Sequence, residues 1–184
     1  MGKIALFMVT SLDGFYEGPG GAFDWPLVDE EFDEFGLAQL AEADTLLFGR
    51  VTYEGMAAYW PSPAAQRDDP ATAAVMNVIP KVVVSRTLGR ADWAGSRVVR
   101  SLEEVAELRA EPGRRIVVFG SSALCVGLLE RGLLDEVRVM VNPVVLGGGR
   151  SLFTTAGDRI RLELLEARPF ASGNVLLTYR PAAD

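Results

Sequence analysis

The sequence contains no histidine and a single cysteine, Cys125. Without imidazole there is no Ser-His-Asp triad, no Cys-His pair and no histidine-held metal. One cysteine closes no intrachain disulfide and builds no cysteine-rich zinc site. Bases are scarce as well: 18 Lys and Arg stand against 25 Asp and Glu, a formal net charge of −7. That balance argues against a nucleic-acid surface, which needs a basic face to neutralise phosphates, and against a polybasic membrane contact. No run of about 18 uninterrupted apolar residues exists, so nothing is expected to span a bilayer. The first ten residues hold one lysine and an apolar run too short for a signal h-region. The expected compartment is the cytoplasm, which suits a lone cysteine. Acid–base chemistry is left to carboxylates, tyrosine, lysine, water or a cofactor.

The chain is nevertheless well supplied for a core. Of its 184 residues 49% are hydrophobic and 23% charged, which predicts one ordered domain over residues 1–184. Short apolar runs alternate with helical spacing. Residues 3–10, 45–48, 81–85, 97–100 and 115–119 read as strands, several with the continuous hydrophobicity of strands buried on both faces. Residues 29–43, 51–59 and 121–131 read as helices, the last stopped by Gly132. A capping box, Ser101 to Glu104, opens another. Residues 62–70, polar and proline-rich, read as a mobile loop. From residue 136 onward the pattern becomes strand-strand: 136–145, 161–168 and 174–180, with Gly147-Gly148-Gly149 between the first two. The order predicts an α/β domain with a mixed, mostly parallel sheet and antiparallel C-terminal strands.

Three strand ends carry residues suited to an anion: Gly49-Arg50-Val51-Thr52, Ser85-Arg86-Thr87, and Gly120-Ser121-Ser122-Ala123-Leu124. A glycine at a strand end admits close backbone approach, and the amides of a following helix attract phosphate. Each piece also has a plain reading, as turn glycine, solvated arginine or N-cap serine. Their combination points further, because strand C-termini in open α/β sheets line the ligand crevice. Neither the G-x-G-x-x-G fingerprint nor a P-loop is present. On the acidic side, Asp13-Gly14 fits a turn or a reactive carboxylate. Asp29 and Glu30 fall at a helix start, where the dipole favours acids and ordinary capping accounts for them. Trp25, Tyr53 and Trp60 fit the core or the walls of a flat-ring pocket.

Taken in order, the motifs Ser11-Leu12-Asp13-Gly14, Leu47-Phe48-Gly49-Arg50-Val51-Thr52-Tyr53-Glu54, Lys81 to Thr87, Gly120 to Leu124, Leu134-Asp135-Glu136-Val137 and Asn142-Pro143 to Gly149 resemble the dihydrofolate-reductase-like fold. More closely, they resemble the reductase domain of the bifunctional riboflavin-biosynthesis deaminase-reductase. The resemblance implies a three-layer sandwich and NADPH-dependent reduction of a pteridine-, pyrimidine- or flavin-like heterocycle. A non-catalytic flavin- or nucleotide-binding protein on the same fold is the alternative. By the family's motifs Gly49, Arg50 and Thr52 would hold cofactor phosphates, and Ser85 and Arg86 the adenosine side. Gly120, Ser121, Ser122, Ala123 and Leu124 would meet the pyrophosphate. Asp13 would stand near the substrate as catalytic carboxylate; Trp25, Asp29, Glu30 and Tyr53 would line it. The resemblance also implies homodimers through sheet or helix faces. Two departures stand out. Ser121 replaces the second glycine of the dihydrofolate enzymes, and the deaminase's H-x-E and P-C-x-x-C zinc ligands are absent.

Overall fold

The computed structural model describes residues 1–153 and 156–182. Its centre is an eight-stranded sheet. In chain order the elements are β1 (Lys3–Ser11), β2 (Phe15–Glu17), α1 (Glu30–Ala41), β3 (Thr45–Gly49), α2 (Arg50–Tyr59), α3 (Pro63–Asp68), α4 (Pro70–Val78), β4 (Lys81–Val84) and β5 (Ser96–Val99). Then come α5 (Leu102–Ala110), β6 (Arg115–Val118), α6 (Ser122–Glu130), β7 (Glu136–Asn142), β8 (Arg150–Ser151), β9 (Leu162–Pro169) and β10 (Val175–Pro181). The strand order is β5-β4-β3-β6-β1-β7-β10-β9. The pairs from β5 through β7 are parallel; β10 runs antiparallel to both β7 and β9. The expected mixed sheet with antiparallel C-terminal strands is therefore present.

Alternation of side chains along β1 divides the core. Ile4, Leu6 and Met8 face α5 and α6, packing with Val105, Leu124, Cys125 and Leu128. Phe7 faces the other way, with Met140, Phe170 and Leu176, against Phe32 and Phe35 of α1. Beside it, Leu46, Phe48 and Val83 pack under Tyr53 of α2 and Met76 of α4. The result is three layers, helices on both faces of a mostly parallel sheet, as its buried Val/Leu/Ile strands require.

The loop expected over residues 62–70 is corrected to two helices. Pro63 and Pro70 occupy first-turn positions, where the missing N–H and fixed φ favour a helix. Ser62 Oγ accepts from Ala65 N (3.2 Å) and Asp69 Oδ1 from Thr72 N (3.0 Å), caps worth about 1 kcal/mol each. Ala65 is fully buried, which ties this segment to the core. The strand expected over 136–145 stops at Asn142, ahead of Pro143, and the chain turns to meet β1, with Val144 O accepting from Leu12 N (2.8 Å). The short β2–β8 pair was not anticipated. In α5, Ser101 Oγ accepts from Glu104 N as the capping box requires, but Glu104 Oε1 accepts from Arg100 N, one residue upstream of the expected amide. Gly132, at φ +63°, ends α6 as expected, with Leu133 N donating to Leu128 O (2.9 Å). No helix among the described residues is long and apolar enough to cross a membrane.

Candidate active site

The six parallel strands bring their C-terminal ends to one edge. Three adjacent ends carry the phosphate-type motifs: Ser85 after β4, Gly49 closing β3, and Gly120 after β6. Strands lie about 4.8 Å apart, so these ends span roughly 10 Å. Two of them touch. Gly49 N donates to Gly120 O (2.9 Å). A Cβ on Gly49 would overlap Ser121 Oγ and lie 3.1 Å from Ser121 Cβ and N. Gly120 has φ +104°, and a Cβ there would meet Thr52 Oγ1 at 3.2 Å and Met8 Sδ at 3.4 Å. Only glycine satisfies both the backbone and the space at Gly120. The β3–α2 and β6–α6 junctions are thus packed into one unit.

Both helices open toward this edge without a side-chain cap, α2 after Gly49 and α6 after Ser121. Their first amides are donors that a helix cannot satisfy internally, backed by the positive end of the helix dipole. A phosphate fits such a cradle. Ala123 is exposed on the first turn of α6, whereas Leu124 is buried in the core. Ser122 is buried too, its Oγ donating to Leu152 O (2.6 Å), so its hydroxyl fastens the segment after β8. Arg50, exposed at the start of α2, forms an i,i+4 pair with Glu54 (2.9 Å).

At the third strand end, Ser85 Oγ accepts from Thr87 N (3.2 Å) and Leu88 N (2.9 Å), folding residues 85–88 into a turn that presents Arg86 to solvent. Arg100 holds that turn from behind, Nη1 donating to Ser85 O (2.8 Å) and Leu88 O (2.6 Å). Sequence reasoning passed over Arg100. Its place immediately before the Ser101 cap was the available signal, since it sets Arg100 at the end of the neighbouring strand.

The acidic side lies at the ends of β1 and β7. Asp13 is exposed, and its carboxylate accepts from Leu146 N (3.1 Å) and Gly147 N (2.8 Å). The Ser11 hydroxyl and these two amides hold Asp13 below the usual carboxylate range, against a smaller opposing effect of desolvation. In this arrangement Asp13 is an ionised acceptor at neutral pH, joining the loop after β1 to the glycine loop after β7. The two loops meet again where Gly149, at φ +133°, passes so near Glu17 O that no side chain fits. Arg150 pairs with Glu17 there (3.0 Å).

Asp29 caps α1, Oδ1 accepting from Phe32 N (2.9 Å). Glu30 follows it, exposed. Glu31 docks the start of α1 on the β9–β10 turn, accepting from Arg168 Nη2 and Ala171 N, each at 2.9 Å. Trp25 is half-buried on the segment leading to α1, Nε1 donating to Ala22 O (3.3 Å). Tyr53 is not brought to this side. It is buried between Phe48 and Trp93, its hydroxyl accepting from Trp93 N (2.9 Å), because it falls on the inward face of α2. Tyr53 therefore belongs to the core, and its expected place as a substrate wall is corrected. Cys125 is fully buried, and burial pushes its thiol up to about 12, which removes it as a nucleophile. No group of three or more Asp, Glu or Cys side chains suited to a metal ion occurs among the described residues.

Two of the motifs turn out to be structural in part. Asp135 Oδ2 accepts from Ile4 N (2.8 Å) and from Arg109 Nε (3.1 Å), locking the start of β1 to α5. Asn142 is fully buried and holds the backbone of Leu27, as does Asn174 from β10's N-terminal flank.

Comparison with known proteins agrees with this layout. The model of the RibD C-terminal domain matches residues 2–176. The uncharacterized protein YyaP of Bacillus subtilis (strain 168) is 34% identical over 96% of this chain and 94% of its own length. Among solved structures, a pyrimidine reductase-like protein from Corynebacterium diphtheriae superposes with a TM-score of 0.70 at 14% identity, covering 99% of this chain and 92% of that one. Dihydrofolate reductase from Enterococcus faecalis, in complex with NADP(H) and RAB-propyl, gives 0.69 at 17% identity, covering 98% and 97%. The fold is dihydrofolate-reductase-like, and the chain belongs to the RibD C-terminal domain family.

Proposed function

We propose that the protein is an NADPH-dependent reductase of a pteridine-, pyrimidine- or flavin-like heterocycle. The observation that carries this reading is the fused junction of Gly49 with Gly120 and Ser121, from which two uncapped helices open onto one strand edge. The residues present fit a dinucleotide. Gly49 and Thr52 would border one phosphate, with Arg50 exposed beside them, and Gly120, Ser121 and the first-turn amides of Ser122, Ala123 and Leu124 would border the other. Ser85 shapes the turn from which Arg86 would pair with a 2′-phosphate. When bound, the cofactor supplies the hydride; the protein supplies orientation and electrostatics.

On the acceptor side, Trp25 and the start of α1, with Asp29 and Glu30, would border the heterocycle. Asp13, with its carboxylate engaged by Leu146 and Gly147, acts as a positioning residue for the glycine loop. The test is NADPH oxidation followed at 340 nm with a dihydropteridine or FMN as acceptor. Turnover that is lost with NADH supports the reading. Protein that binds FMN yet never oxidises NADPH would replace it with a non-catalytic binding role.

A further inference from the structure

We propose that Asn142 and Asn174 form a two-sided clamp on the backbone of one residue, Leu27, and that this clamp sets the acceptor side of the site; the proposal rests on the reductase reading above. Asn142 closes β7 and Asn174 precedes β10, so the antiparallel register places them side by side at the strand edge. Both are fully buried. Asn142 Oδ1 accepts from Leu27 N (2.7 Å) and Asn174 Nδ2 donates to Leu27 O (2.9 Å).

The segment they grip has little else to hold it. Phe23 is 62% exposed, Leu27 44% and Val28 60%. Apolar burial, limited to the half-buried Trp25 and Pro26, therefore does little to fix its height above the sheet. Two buried amides fix it, by engaging both backbone polar groups of Leu27, one in each of the two peptides that flank it. Leu27 lies between Trp25 and the α1 cap Asp29, so holding it fixes both. A buried polar group is costly unless bonded, which explains why the asparagines orient strictly toward Leu27. Among the described residues, Asn174 Oδ1 has no partner and Asn142 Nδ2 has only a long bond to Met140 O (3.4 Å). The clamp thus retains its two amides despite imperfect satisfaction elsewhere. The cofactor junctions stand on β4, β3 and β6, with β1 between them and β7.

The test uses the full chain carrying Trp60→Phe, which leaves two indoles, the half-buried Trp25 and the buried Trp93. In Asn142→Ala the Leu27 amide should exchange about tenfold faster, as expected for a lost hydrogen bond; in Asn174→Ala, which frees the Leu27 carbonyl and leaves the N–H bonded to Asn142, it should exchange faster by a smaller factor. Acrylamide quenching of Trp25 should rise with it. In the double variant quenching should exceed that of either single one by less than threefold, because both side chains hold one residue. With FMN as acceptor probe, KM should rise about tenfold while kcat and the NADPH dissociation constant stay within twofold. Leu27→Pro removes the N–H without touching the core and should reproduce the change in Trp25 quenching and KM. Unchanged quenching in both Asn142→Ala and Leu27→Pro, additive effects of the two asparagines, or an NADPH affinity that falls in step with KM would each overturn the clamp. If the unaltered protein oxidises NADPH with neither FMN nor a dihydropteridine, the reductase reading fails, and exchange and quenching still decide whether the clamp holds the loop.

Discussion

Gly49→Ala is the sharpest steric perturbation the fold offers. Gly49 has φ −75°, a value open to any residue, so the substitution carries no backbone penalty and isolates a single contact. The new methyl would overlap Ser121 Oγ and crowd Ser121 Cβ and N at 3.1 Å. Rotation of the serine hydroxyl relieves the first contact; the other two need the β6–α6 junction to move. Overpacking of this kind costs roughly 1–3 kcal/mol. Replacing glycine lowers unfolded-state entropy, which returns about 0.4–1 kcal/mol. A net loss of about 1–2 kcal/mol follows, read as a lower midpoint in urea at unchanged m-value. Ser121→Gly removes the Cβ and hydroxyl from the crowded space. In that background Gly49→Ala should cost about 1 kcal/mol less, a coupling measurable by double-mutant cycle. NADPH affinity should follow the same pattern, reduced in Gly49→Ala and largely recovered in the double variant. A Gly49→Ala protein as stable as its parent, or a coupling near zero, would refute the packing of these two junctions into one unit.

Other outcomes are equally specific. Lys81 is fully buried with Nζ donating to Ile79 O (2.7 Å) and Ala94 O (3.1 Å), and burial pushes it down to about 8. Above that value the folded chain has lost a proton that the unfolded chain keeps up to 10.5, so stability rises with pH, by at most about 3 kcal/mol from this group. Cys125 opposes it from 9.0 upward, because its folded thiol holds its proton to about 12. Urea melts should therefore show a gain confined to about pH 8–9, absent in Lys81→Met; a flat profile in the unaltered protein contradicts it. Asp13→Asn keeps one acceptor oxygen and turns an amide donor toward the second N–H, so exchange at Leu146 or Gly147 should quicken and turnover should fall more than cofactor affinity. Equal losses of turnover and affinity would reduce Asp13 to a general turn residue.

The strands were legible because continuous Val, Leu and Ile runs such as residues 81–84 and 115–118 have one stable fate, a sheet buried on both faces. The α3–α4 region was not, since Pro63 and Pro70 read as breakers until their first-turn positions and the caps from Ser62 and Asp69 are seen. The glycines at the ends of β3 and β6 were visible as motifs, but not that a side chain at Gly49 would enter the space of Ser121, which depends on β3 and β6 being neighbours despite the long separation in sequence. Tyr53 was misplaced for a related reason. Helical spacing does not tell which face of α2 meets Trp93, and that contact decides between core and pocket. Asn174 carried no local signal at all: its role appears only when β10 folds back beside β7 and reaches the peptide of Leu27.

Calorimetric titration with NADPH and with NADH tests the central claim most directly. The predicted result is one-site binding of NADPH that is tighter than NADH, with the difference largely removed in Arg86→Ala. No heat and no thermal shift with either nucleotide at high protein concentration would contradict the account.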